Sequence, residues 1–279
     1  SKKAPLSSLE KKQWHLLDLT TDSIPGMSVE RAYKELIKEK KGASVIVAII
    51  DSGVDINHPE IKDNIWVNKG EIPNNGLDDD QNGFVDDVNG WNFLGNCEQE
   101  NMESVRLQKK EEPGSDVYEN FEKQRQKNIQ EKKEELSRIN EFIEKALSSD
   151  SLIKKTIGIE KYTLNDVENF SPKSFKLIDA LIFQRDFKER GLSVSKLQDY
   201  KKGALISINK HYSLKFNPRL IVGDNPDDIN DTNYGDSNVI GPVLDGADHG
   251  THVSGIIASE RQDASGSKGI YNNVKIMVL

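Results

Sequence analysis

A chain of 279 residues with 35% hydrophobic content is long enough to bury one large core or two modest ones, and its composition is that of a globular protein. The formal net charge of -8 argues against nucleic acid or an anionic membrane as the main partner, because a field of that sign repels phosphates. The single cysteine, Cys97, excludes an internal disulfide framework, and no apolar run approaches the roughly 20 residues that span a bilayer.

The chain starts polar, with Lys2, Lys3, Lys11 and Lys12 and no apolar stretch of the signal-peptide kind. Pro25-Gly26 marks a turn. Ser28 then opens a segment in which Val29, Ala32, Tyr33, Leu36 and Ile37 fall at helical spacing, with Gly42 as its stop. Residues 44–50, SVIVAII, form a continuous β-branched run without polar alternation, which suits a strand buried on both faces of a parallel sheet. The run ends in Asp51-Ser52-Gly53, and in open α/β folds functional groups gather just beyond such strand ends.

Residues 97–216 differ in character: about half of the positions between Glu103 and Lys145 are charged, and β-branched runs are missing. Three apolar stripes predict helices there. They are Ile129, Leu136, Ile139, Ile143 and Leu147; then Phe175, Ile178 and Ile182; then Leu197, Tyr200, Ala204 and Ile208. Pro172 and Gly191 punctuate them. The segment reads as a helical insertion, either an antiparallel pair or a three-helix arrangement, whose charges form a solvated face or a surface for a protein partner.

From Phe216 a Gly-, Asp- and Asn-rich loop runs to Asp248, where His249-Gly250-Thr251-His252 begins a helix of small residues able to pack closely on a sheet. After a turn-rich stretch at 263–269, residues 274–279 (VKIMVL) predict a second buried strand. The expected organisation is therefore 1–96, an inserted helical subdomain at 97–216, and 217–279.

One acidic loop has metal-ligand spacing. Asp78, Asp80, Asn82 and Asp86 take positions 1, 3, 5 and 9 of an EF-hand-like loop, with Gly83 at position 6 and the Phe84 carbonyl at 7. An oxygen-only donor set of this kind fits calcium, although Asn89 stands where the bidentate glutamate belongs; the other reading is a solvated acidic turn. Asp224, Asp227, Asp228 and Asp231 form a weaker candidate.

Val47 to Ile61 (VAIIDSGVDINHPEI) and Asp248 to Ala258 (DHGTHVSGIIA) resemble the aspartate and histidine blocks of subtilisin-like serine proteases, the subtilase family. Taken alone, DSG is an ordinary strand-end turn, and HGTH is a helix start or a weak metal pair. The order Asp before His, with serine last, differs from that of chymotrypsin-like enzymes and α/β-hydrolases. The resemblance implies an α/β fold with a parallel sheet flanked by helices, and a triad in which Asp51 orients His249 and His249 acts as base. It assigns no catalysis to Ser52 or His252. It also implies protein or peptide substrates, structural calcium, and a secreted or cell-envelope setting.

No Gly-Thr-Ser-Met-Ala type phrase and no oxyanion asparagine block occurs in the 279 residues. Loss of a triad serine lowers turnover on the order of a million-fold, so these residues alone are expected to be inactive. A chain ending inside an apolar strand leaves a half-built sheet exposed. Residue 279 is therefore expected to be a boundary within a longer protease, whose remaining catalytic part partners this one. The rival reading is a calcium-stabilised protein-interaction module with a vestigial dyad. Finally, 198 positions separate Asp51 from His249, so the insertion must loop out if the two are to hydrogen-bond.

Overall fold

The computed structural model describes residues 5–38, 40, 42–163, 166, 174–261 and 268–279. Its helices are α1 (Ser8–Gln13), α2 (Leu19–Asp22), α3 (Val29–Ala32), α4 (Glu103–Gln108), α5 (Asp116–Ile157), α6 (Phe175–Glu189), α7 (Val194–Ile206), α8 (Arg219–Val222) and α9 (Asp248–Ala258). Two strands, β1 (Val45–Ile49) and β2 (Val274–Val278), pair in parallel. The chain divides into two compact units, Ser1–Glu98 with Arg219–Leu279, and Gln99–Pro218.

In the first unit, β1 and β2 run in register from Val45 opposite Val274 to Ile49 opposite Val278. The other side of β2 makes parallel bridges through Ile65 to Ile276 and through Gly90 to Val278. The Gly90 contact requires glycine, because a Cβ there would overlap the Val278 carbonyl oxygen. β2 therefore lies inside the sheet and alternates buried and half-buried residues. β1 is an edge strand, which corrects the expectation of a strand buried on both faces: Val45, Ile46 and Ile50 are exposed and only Ile49 is buried. A β-branched run specifies a strand, but its burial depends on what pairs beside it.

The core of this unit joins Ile49, Val54, Ile61, Ile65, Val239, Ala258, Val274, Ile276 and Val278. Burial of such a Val or Ile side chain contributes about 1.5–3 kcal/mol, so this cluster fixes both strand ends and the base of α9.

The segment after Pro25-Gly26 departs from expectation. Ser28 adopts a left-handed conformation (φ 60°) and gives its hydroxyl to Asp18 at 2.6 Å instead of capping α3. The helical turns stop at Lys38, also at positive φ (51°), before Gly42 is reached. A capping box that the sequence reading passed over starts α1, with Ser7 and Glu10 bonding each other's backbone amides.

The second unit is helical. Its 42-residue α5 starts at an N-cap Ser115 and ends at Gly158 in the left-handed region, φ 74°. Ser174 and Ser193 cap α6 and α7 with their side chains. One cluster packs Ile139, Ile143, Ala146, Phe187 and Leu197; a second packs Ile153, Tyr162, Leu177, Ala180 and Leu181. On α6 the buried face is Leu177, Ala180, Leu181, Gln184 and Phe187, while Phe175 and Ile182 of the predicted stripe are exposed. Small Ala180 and polar Gln184, which donates to the Ala146 carbonyl at 2.7 Å, concealed that face. Leu147 and Tyr200 of the other stripes are exposed as well. Pro172 and the expected turn at 263–267 lie outside the described residues.

Candidate active site

Asp51 stands two residues beyond β1, where the parallel ladder still holds its backbone: its N–H donates to the Leu279 carbonyl at 3.2 Å, and the Leu279 N–H to the Ile49 carbonyl at 2.8 Å. The side chain is thus mounted on a rigid edge. His249 is the second residue of α9, a helix seated through buried Gly250, Ser254 and Ala258.

These two residues, far apart in sequence, meet in space. His249 Nδ1 lies 2.6 Å from Asp51 Oδ2. The other carboxylate oxygen, Oδ1, accepts the Ser52 N–H at 2.8 Å and lies 3.2 Å from the Ser52 hydroxyl. Burial raises the Asp51 pKa, but the Ser52 amide, His249 and the Ser52 hydroxyl outweigh it and hold the carboxyl below its ordinary value. Asp51 is therefore an anionic acceptor, so the hydrogen in the contact sits on Nδ1 and a neutral ring keeps its lone pair on Nε2. The His249 side chain is 75% exposed and Asp51 15%, which places the base at the surface and the carboxylate beneath it.

Two further contacts and one backbone conformation set this geometry. The Ser52 hydroxyl lies 2.7 Å from the Gly246 carbonyl, in the turn that precedes α9. The Thr251 hydroxyl accepts the Asp55 N–H at 2.8 Å. Gly53, at φ 126°, takes a conformation closed to most side chains as the chain turns away from Asp51. Neither hydroxyl contact is legible in the sequence, although Ser52 and Thr251 themselves belong to the aspartate and histidine phrases.

Of the five expected metal ligands, Asp78 and Asp80 both accept the Asn82 amide, at 3.0 and 3.1 Å. Asp78 also accepts the Gly83 amide, and Asn82 Oδ1 accepts the Phe84 amide. Asp86 turns away to the Asn75 and Gly76 amides. Only Asp80 joins an acidic trio: among the described residues, Glu71, Asp80 and Asp87 bring carboxylate oxygens within 4.8 Å of one another. Glu71 and Asp87 are buried. Among the described residues no lysine or arginine pairs with any of the three. In the second acidic loop, Asp224 pairs with Arg219 at 3.0 Å and Asp231 accepts the Asn225 amide, so no comparable trio forms there among the described residues.

A strand-end aspartate bonded to a histidine at the start of a tightly packed helix has the geometry that an orienter and its base require in serine-protease chemistry. The chain belongs to the subtilase family, a serine-protease family whose model matches residues 42–279. Over 64 residues it is 50% identical to Subtilisin-like protease 1 of Plasmodium falciparum (isolate 3D7), a match covering 23% of this chain and 9% of that protein. The same length is 45% identical to Subtilisin-like protease 1 of Plasmodium vivax, again 23% of this chain and 10% of the relative. It is 42% identical to that of Plasmodium berghei (strain Anka), with 23% and 11% covered. The matched stretch thus spans about a tenth of the length of these curated relatives.

Proposed function

We propose that these residues form the Asp- and His-bearing part of a serine endopeptidase that cleaves peptide bonds through an Asp-His-Ser triad. The observation that carries this reading is the 2.6 Å contact between Asp51 Oδ2 and His249 Nδ1. With Nδ1–H bonded to an ionised carboxylate, Nε2 can take the proton of an attacking serine hydroxyl and later return it to the leaving amine. Asp51 stabilises the imidazolium that exists between those steps. The serine itself and the oxyanion donors lie outside the 279 residues, so the chain alone is expected to leave peptides intact.

Substrates in this reading are proteins or peptides, and the setting is secreted or cell-envelope. Among the described residues no helix is long and apolar enough to cross a membrane. Calcium belongs to the same proposal. Hard oxygen donors suit that ion, and Glu71, Asp80 and Asp87 would hold it, with the ion offsetting the repulsion of three clustered carboxylates and stiffening the loop.

The test is activity of the full-length protein on an unspecific peptide substrate. A serine-directed covalent inhibitor should abolish cleavage, and His249→Ala should lower kcat on the order of a million-fold, by the precedent of subtilisin. Cleavage that survives in His249→Ala would overturn the reading and favour a binding module whose dyad is a relic.

A further inference from the structure

We propose that Ser52 is a positioning residue: its hydroxyl ties the aspartate loop to the turn that launches the histidine helix, and thereby decides which His249 nitrogen carries the hydrogen. The inference rests on the Asp51–His249 reading above and deepens it.

Ser52 has one hydroxyl proton and two acceptors in reach. The Gly246 carbonyl at 2.7 Å is closer than Asp51 Oδ1 at 3.2 Å. Asp51 Oδ1 already receives the Ser52 amide at 2.8 Å, so the hydroxyl's distinctive bond is the one to Gly246. That bond crosses between two segments 194 positions apart in sequence and ends three residues before His249.

Such a tie matters because of how little else holds the ring. With three quarters of its side chain exposed, His249 is not clamped by packing. Its orientation follows from where α9 starts and where Asp51 Oδ2 sits. The Ser52 amide pins one carboxylate oxygen and the Ser52 hydroxyl pins the approaching turn, so one residue sets both ends of the 2.6 Å contact. A neutral imidazole released from such an acceptor is free to move its hydrogen to Nε2, which would leave the base with no lone pair facing a nucleophile.

The 279-residue chain permits a direct test, since it contains both partners. Long-range proton–nitrogen NMR of the imidazole rings distinguishes the Nδ1–H from the Nε2–H form, and the other four histidines serve as internal references. Wild type should show His249 mainly as Nδ1–H, and Asp51→Asn should give the released endpoint. Ser52→Ala should shift His249 toward the Nε2–H form, while Ser52→Thr, which keeps a hydroxyl, should retain the wild-type signature. Ser52→Val matches threonine in shape without the hydroxyl and should behave like Ser52→Ala; this pair decides the matter even if alanine perturbs folding. Equal spectra for Ser52→Thr and Ser52→Val, with Asp51→Asn still releasing the ring, would overturn the role of Ser52 alone. A wild-type His249 already in the Nε2–H form would overturn both this proposal and the dyad reading. In the full-length enzyme the valine variant should lose kcat with little change in KM, and threonine should restore it.

Discussion

Gly250 rests directly against Gly53: a Cβ at Gly250 would overlap the Gly53 carbonyl oxygen and come within 3.1 Å of the Asp51 Cβ. The residue after the histidine thus lacks a side chain so that the aspartate loop can approach. Gly250→Ala should push α9 off the loop and break the 2.6 Å Asp51–His249 contact. Overpacking of this kind costs about 1–3 kcal/mol. A lowered melting temperature together with a changed His249 ring signal would report it. A variant with wild-type stability and an unchanged ring would show that the loops have room to separate.

In the helical unit, one carboxylate makes stability depend on pH. Glu122 accepts from Arg125 Nη2 at 2.7 Å, from Gln126 at 2.8 Å and from buried Gln108 at 2.7 Å. The Arg125 bond is the largest influence and overcomes burial, bringing the Glu122 pKa from 4.5 to about 2. A depressed folded-state value means the stabilisation is complete above 4.5 and disappears as pH falls toward about 2. Glu122→Gln should cost roughly 1.5–3 kcal/mol at neutral pH, the range for hydrogen bonds to charged groups. Urea unfolding followed by helical circular dichroism should show wild type and variant converging across that acid window. A gap of constant size would rule out Glu122 as the titrating group.

The acidic trio gives a metal prediction that separates two ligand sets. If Glu71, Asp80 and Asp87 hold calcium, adding it should raise the melting temperature and chelation should reverse the rise. Binding to the folded state alone stabilises by about 2.7 kcal/mol at a hundredfold excess over Kd. Glu71→Gln should remove most of that shift, and Asp86→Asn, outside the trio, should keep it. The opposite pattern would favour the ligand set that the loop spacing suggests.

How far the sequence foretold these features depended on how local their physics is. Asp51 and His249 each sit in a short phrase whose strand end or helix start is encoded within a few residues, so both could be named across the 198 positions between them. The acidic trio was not legible, because Glu71 lies upstream of the loop whose spacing resembles a calcium site. Its oxygens accept the Asp79, Asp80 and Asp86 amides, which turns it into the loop's centre, and that depends on the folded path of the chain. The α6 face was misread for a related reason. Hydrophobicity marked Phe175 and Ile182, whereas the partner helix accommodates Ala180 and hydrogen-bonds Gln184. The bond from Ser52 to Gly246 likewise joins a side chain to a distant backbone oxygen, and backbone acceptors leave no trace in residue identity.

The N-terminal segment is fastened to the end of α9 by one arginine. Arg261 sits with its guanidinium 4.2 Å from the centre of the Tyr33 ring, donates to Glu30 at 2.6 Å and also donates to the Gly269 carbonyl. Its side chain is only 8% exposed, so the flat ion is stacked and bonded at once, a combination a lysine ammonium cannot reproduce. Arg261→Ala leaves the Gly269 carbonyl and Glu30 to water and should cost about 1–3 kcal/mol. Arg261→Lys should recover only part of this, because one ammonium cannot both stack on Tyr33 and reach two acceptors. Limited proteolysis should find residues 28–37 cut faster in the alanine variant, with lysine intermediate. Equal protection in lysine and wild type would reduce the clamp to simple charge pairing with Glu30, and equal protection in all three would mean that the other contacts, among them buried Val29, the Ser28–Asp18 bond and the Asn272 amide on the Tyr33 hydroxyl, hold the segment without it.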